Sequence, residues 1–202
     1  MNSNDQNPEN ETPTISQTNE ENDANLKQTN SANFILIDIA KCNFLLPFKP
    51  ASSIFPLEQI ITEFFRKKAG RKLTFQFKLF NALSLTLFYP DLYPYFGVQW
   101  ISPNIFKVNK QIWSNVVSVK AVNGSLFNRQ GAFPTHGFEQ LKLEEIKENV
   151  IPGSLEGVDD DNVRIFRHKG KLFHIQSSIN DLLNCSYQEL LENETEGIKI
   201  VY

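Results

Sequence analysis

A chain of 202 residues accommodates one core of about 100 to 150 residues with extensions. Its net charge of minus three conceals a segregation: residues 1–32 carry one base against six acids, residues 33–140 twelve bases against five acids, and residues 141–202 seven against twelve. Cys42 and Cys185 lie far apart without a CxxC spacing, so neither a disulfide framework nor a cysteine zinc site is indicated, and the most apolar run, 34–48, is broken by Asp38, Lys41 and Pro47, short of the roughly 20 apolar residues a membrane span needs.

The basic middle block also holds both tryptophans and most of the phenylalanines, so the core itself is the part suited to a polyanion, and nucleic acid is the expected partner. The first residues, Met1 to Gln6, show no basic-then-apolar leader, and an intracellular, soluble protein with reduced thiols is expected. Residues 1–32 lack aromatic side chains and are crowded with Asn, Glu, Thr and Ser. They are expected to form a disordered acidic tail, because they cannot bury enough apolar surface to offset ordering.

In chain order, the Ile/Leu/Phe-dense segment from Phe34 to Leu46 fits helix or strand. Pro56 then precedes Leu57, Ile60, Ile61, Phe64 and Phe65, whose i, i+3, i+4, i+7, i+8 spacing predicts an amphipathic helix. Arg66-Lys67-Lys68 and Gly70 would close it, with cations at the negative helix end. From Leu73 to Phe88 the apolar residues fit both a strand and a helix; a length of about fifteen residues without Gly or Pro favours helix. Tyr89 to Pro94 reads as a loop, Gly97 to Ser102 as a short strand, and Asn109 to Val117 as a helix.

After a break at Ser118, Val119 to Gln130 is expected to form a second helix, with Val119, Val122 and Leu126 inward and Lys120, Gly124, Ser125 and Asn128 outward. Two short helices joined by a tight break make a helix-turn-helix. Gly131, Pro134 and Gly137 end it. Phe138 to Leu143 and Val163 to Lys169 alternate as strands and can pair antiparallel as a wing, joined by an acidic segment, about 144–161, expected to be a long mobile loop. Ser177 to Glu192 reads as a terminal helix, with Ile179, Leu182, Leu183, Leu190 and Leu191 for packing.

The run Gly97-Val98-Gln99-Trp100-Ile101-Ser102, then Phe106-Lys107-Val108-Asn109-Lys110, a helix-turn-helix, and Gly137-Phe138-Glu139-Gln140-Leu141 resembles the initiator-binding domain of the core-promoter-binding proteins of trichomonad parasites, over roughly residues 56–170. The resemblance implies a winged-helix fold, with one helix in the major groove of an initiator element and basic loops on the flanking phosphates. It also implies a nuclear protein acting in transcription initiation or its regulation, with transcription-machinery proteins as further candidate partners. The chain departs from the pattern by a longer segment at Gln130 to His136 and by the long acidic loop, which bear on how the wing meets DNA. The expected fold class is mainly α with a small β-sheet, α+β: the tail at 1–32, a winged helix-turn-helix domain at 33–175, and a helical extension at 176–202.

Major-groove reading requires outward donors and acceptors, and Lys120, Asn123, Ser125, Asn128 and Arg129 supply them; Asn and Arg suit bidentate pairing with adenine and guanine. Gly124 lowers helix stability by about 1 kcal/mol relative to Ala, so either close approach to the DNA backbone or a plain Asn-Gly turn has to account for it. Lys67, Lys68, Arg71 and Lys72 in one basic run are candidate phosphate contacts or an import signal, or simply a solvated helix end. Lys107 and Lys110 before the first helix, and Arg164, Arg167 and Lys169 on the second wing strand, are further candidates; surface decoration fits the last three equally well.

Trp100 and Trp113 read as core. Asp159-Asp160-Asp161 lacks calcium-loop spacing, and His136, His168 and His174 belong to no metal or nucleophile motif. No Walker loop or GxGxxG is present, no cofactor is expected, and no nucleophile, base and orienting group can be assembled into an enzyme. The alternative to sequence-specific DNA binding is a winged-helix protein-interaction module in which the basic charge is incidental.

Overall fold

The computed structural model describes residues 35–45, 52–67, 74–146, 150–159 and 161–185. It has helices and two small antiparallel sheets, an α+β arrangement. The expected acidic tail, Lys68, Arg71, Lys72 and the terminal helix beyond residue 185 lie outside these residues.

The first ambiguous segment forms strand β1, Leu36–Asp38, and a 3-10 turn at Ile39–Lys41. β1 pairs with β2, Ile54–Pro56, so that Ile37 lies opposite Phe55. The Pro56 signal holds: helix α1, Leu57–Ile60, continues directly into a π-helical turn at Ile61–Phe65, burying Leu57, Ile60, Phe64 and Phe65. Its carbonyl end is met by a lysine from elsewhere. Lys78 donates from Nζ to the carbonyls of Phe65 and Lys67, both at 2.7 Å, and burial pulls it below the usual lysine value.

Lys78 belongs to α2, Phe75–Phe88, the helix that length favours over the strand alternative. Apolar residues buried around most of its circumference, from Phe77 to Leu85, make it the central helix and explain why its sequence shows no single face. The expected loop after it is mostly helical, a 3-10 turn at Pro90–Leu92 and helix α3, Tyr93–Phe96. The prolines misled: Pro90 and Pro94 sit at first-turn positions, where no amide hydrogen is needed.

A four-stranded sheet follows, in the order β3-β4-β6-β5, formed by β3 (Val98–Trp100), β4 (Ile105–Asn109), β5 (Phe138–Leu141) and β6 (Val163–His168). The expected antiparallel pair β5-β6 is present, with Phe138 opposite His168 and Leu141 opposite Ile165. β6, however, also pairs along its length with β4, Phe106 opposite Phe166. It is therefore a central strand.

Alternation sorts the side chains into two faces. Val98, Trp100, Phe106, Val108, Phe138 and Phe166 join the main core with α2, and Trp113 is fully buried with them. Ile105, Leu141 and Ile165 face the other way, where they pack with Ile101, Ile146, Leu155 and Val158. The acidic connection is thus not the free loop its composition suggests. Residues 150–159 lie over the back of the sheet, with Ile151 N–H donating to the Ile101 carbonyl at 2.7 Å and Ser154 fully buried.

Helix α6, Ile179–Asn184, closes the described chain. Ser178 and Asp181 cap it reciprocally. Of its expected packing residues Leu182 is buried, whereas Ile179 and Leu183 are exposed.

Candidate nucleic-acid interface

Helix α4, Lys110–Val116, begins at Asn109, whose Oδ1 accepts from the Ile112 amide at 3.0 Å, one of the orphan donors of a helix start. It stops at Ser118, which adopts a left-handed φ of 56°. Val119 N–H then returns to the Ser114 carbonyl at 2.8 Å, making the break tight. The expected second helix is short: only Asn123–Phe127 is helical, as a π turn closed by Asn128 N–H to the Asn123 carbonyl at 2.7 Å. Asn128 itself is extended, so the chain leaves the turn there. A third short helix, α5 at Ala132–Thr135, occupies what reads in sequence as a Gly/Pro-rich stop.

The inward and outward sorting of this segment matches its expectation. Leu126 is buried, Val119 and Val122 are half-buried, and Lys120, Asn123, Gly124, Ser125, Asn128 and Arg129 are exposed. Phe127, overlooked in the sequence, anchors it. Its ring stacks on Phe133 at 5.1 Å and Phe166 at 6.0 Å, and Phe133 and Phe166 stack at 4.3 Å with planes 6° apart. The exposed polar run therefore rests on a three-ring stack standing on the central strand.

Beside it lies an open groove of about 640 Å³ lined by Arg66, Gln111, Ser114, Asn115, Lys120 and neighbouring residues. Two cations and two side-chain amides on one concavity can bind an anion by charge and by hydrogen bonds. Arg66 enters from the end of the π turn after α1, Gln111 and Asn115 from α4, and Lys120 from the break. Sequence reading placed Arg66 in a basic run but gave no sign that the chain brings it to Lys120.

The remaining candidates are dispersed. Lys107 is a correction: it is 2% exposed, donates to the Glu156 carbonyl at 2.9 Å and lies 4.6 Å from the Tyr93 ring centroid. Burial pulls it below the usual lysine value, with the Glu156 charge opposing. Its ammonium holds the acidic connection onto the sheet and does not reach an outside phosphate. Lys110 is half-buried in the first turn of α4, where its charge helps hold Asp159 below the usual carboxylate range, after the turn hydrogen bonds from Asp161 and Asn162.

Arg164 and Arg167, an odd number of residues apart on β6, point to opposite faces. Arg167 pairs with Glu139 at 2.8 Å across the strands, and Arg164 donates to the Val163 carbonyl at 3.2 Å. Lys169 is exposed at the opposite end of the strand from Arg164 and is tied by its amide to the Gly137 carbonyl at 2.9 Å. Lys67 is exposed beside Arg66.

Burial pushes the thiols of Cys42 and Cys185 up to about 12, so neither is a thiolate nucleophile at neutral pH. His168, 1% exposed, accepts from the Leu172 amide at Nδ1 and faces the Cys185 carbonyl at Nε2, a neutral-imidazole arrangement. Burial pulls both His168 and His136 below the ordinary histidine value. The unfolded chain therefore takes up protons first as pH falls through about 6.5, and this part of the stability, present above that value, is lost on acidification. Melting followed by circular dichroism is expected to move to lower temperature between pH 7.5 and 5.5, and less so in His168→Gln. A flat profile for the parent would contradict the buried neutral assignment.

Among the described residues no helix is long and apolar enough to cross a membrane, and no cluster of His, Cys, Asp and Glu suits a metal. A family model described as the transcription-initiator DNA-binding domain, IBD, matches residues 50–165. No curated protein matches the chain. Among solved structures, the initiator binding domain of T. vaginalis IBP39, crystallised bound to the alpha-SCS Inr element, is similar at 23% identity and a TM-score of 0.41, covering 61% of this chain and 89% of that one. With the family model spanning more than half of its length, the chain belongs to the transcription-initiator DNA-binding domain family, a family of DNA-binding domains and not of enzymes.

Proposed function

We propose that the chain binds double-stranded promoter DNA at an initiator element in a sequence-dependent manner and acts in the nucleus, in transcription initiation or its regulation. The observation that carries this reading is the exposed run Lys120–Arg129, held on a rigid aromatic base within a chain of this family. In this reading the domain is a winged helix. The segment from Asn123 to Arg129 enters the major groove, and the β5-β6 pair is the wing.

The chemistry divides the residues into two groups. Asn123, Ser125, Asn128 and Arg129 read base edges, with Asn128 the strongest candidate for bidentate pairing because the chain turns extended there and frees its side chain from the helix surface. Lys120, expected from sequence among the base readers, shares its groove with Arg66 and is assigned to phosphate. Lys67, Lys110 and Lys169 supply weaker phosphate contacts, and Lys68, Arg71 and Lys72 extend the basic run beside Arg66. Arg164 and Arg167 serve only if the wing approaches DNA, at the expense for Arg167 of its Glu139 pair.

Asn128→Ala tests the division. It should weaken binding to an initiator duplex by about 1 to 3 kcal/mol and leave binding to a scrambled duplex nearly unchanged, measured by fluorescence anisotropy. Equal losses on both duplexes would remove Asn128 from base reading. The competing reading, a protein-interaction module, draws on the exposed Ile179 and Leu183 of α6 and expects weak binding indifferent to DNA sequence.

A further inference from the structure

Glycines in this fold generally have a visible structural reason. Gly97 holds a left-handed φ of 66°, and a Cβ there would lie 2.7 Å from Ile112 Cβ; at Gly131 a Cβ would lie 2.6 Å from the backbone of Leu126. Gly124 has neither reason. Its φ is outside the left-handed region, and a Cβ built on it meets nothing within 4 Å. It sits inside the π-helical turn Asn123–Phe127, exposed, where glycine is among the poorest helix formers. The plain-turn explanation of Asn123-Gly124 fails for the same reason: the pair is helical and does not make a left-handed turn.

A residue that costs stability and that the isolated fold does not require points to something outside the fold. On either side of it in sequence stand Asn123 and Ser125, with Lys120 and Asn128 within one turn, and all of them are exposed. We propose that Gly124 is the point of closest approach to the duplex. Its bare Cα meets the major-groove surface in van der Waals contact, so that the short polar side chains of Asn123, Ser125 and Asn128 can reach the base edges. The missing side chain sets the depth of insertion, which makes Gly124 a positioning residue for base readout. This inference rests on the DNA-binding reading above.

The test is a size series, Gly124→Ala and Gly124→Val, alongside Asn128→Ala, with melting temperature and affinity for initiator and scrambled duplexes measured on the full chain. Because the added methyl meets no protein atom, Gly124→Ala should fold and melt about 2 to 4 °C higher than the parent. It should bind the initiator duplex roughly tenfold more weakly, and Gly124→Val more weakly still. A loss that grows with side-chain size separates contact from helix stiffening, since Val is the poorer helix former of the two. If Asn128→Ala erodes the preference while both Gly124 variants bind like the parent, the close-approach assignment is overturned and the DNA-binding reading stands. If the parent shows no preference and Asn128→Ala no effect, the DNA-binding reading fails and this inference falls with it.

Discussion

Phe133→Ala is expected to destabilise the protein by about 3 to 5 kcal/mol, the range for deleting a buried phenylalanine ring. Phe133 is fully buried and stacks on both Phe127 and Phe166, with Phe75 edge-on at 4.9 Å. Its removal leaves a cavity under the turn Asn123–Phe127 and takes away the surface that orients it. Phe133→Leu, which fills more of the space but cannot stack, should cost less stability while still loosening the turn. Chemical denaturation gives the first quantity, and amide hydrogen exchange over 119–131 the second. A stability loss below about 1 kcal/mol for Phe133→Ala would mean that the ring stack does not support the exposed run.

Arg66→Ala combined with Lys120→Ala should weaken binding to initiator and scrambled duplexes alike. Each released phosphate contact lowers the dependence of log affinity on log salt by about 0.9, so the pair should flatten the slope by nearly two. The ratio between the two duplexes should survive, because a phosphate contact carries no base information. Affinity measured at several salt concentrations reads both quantities. A double variant that keeps the parental slope would exclude the Arg66–Lys120 groove as the seat of a DNA phosphate.

Sequence periodicity was informative where one face of an element is buried and misleading where both are. α1 and the segment 119–128 were legible because Leu57, Ile60, Phe64 and Leu126 mark a single inward stripe. β4 was invisible as a strand, since Ile105, Phe106, Lys107 and Val108 are all buried and no alternation survives. Lys107 added to the confusion. A lysine in a basic block reads as a surface charge, and only the tertiary fold shows Glu156 and Tyr93 waiting for it. The acidic connection misled in the reverse sense: Leu155 and Val158 are spaced among acids, yet with Ile146 they cap the back of the sheet.

The site was half legible for a related reason. Outward polarity on a helix can be read from inward apolar spacing, so Lys120, Asn123, Ser125 and Asn128 were found. Arg66 and Gln111 meet Lys120 only through tertiary packing, the π turn after α1 meeting α4 where Phe65 lies 6.3 Å from Trp113, which no local pattern encodes. Arg164 and Arg167 do not form one patch because, an odd number of residues apart on β6, they point to opposite faces.

The most direct test of the central claim is the affinity of the unmodified protein for an initiator duplex and for a scrambled duplex of the same length and composition, measured across a salt series. Sequence-specific recognition predicts a ratio of roughly 10³ or more that persists as salt rises. Equal affinities falling together with a steep salt slope would contradict base readout by Asn123–Arg129 and leave only a generic binder of phosphate.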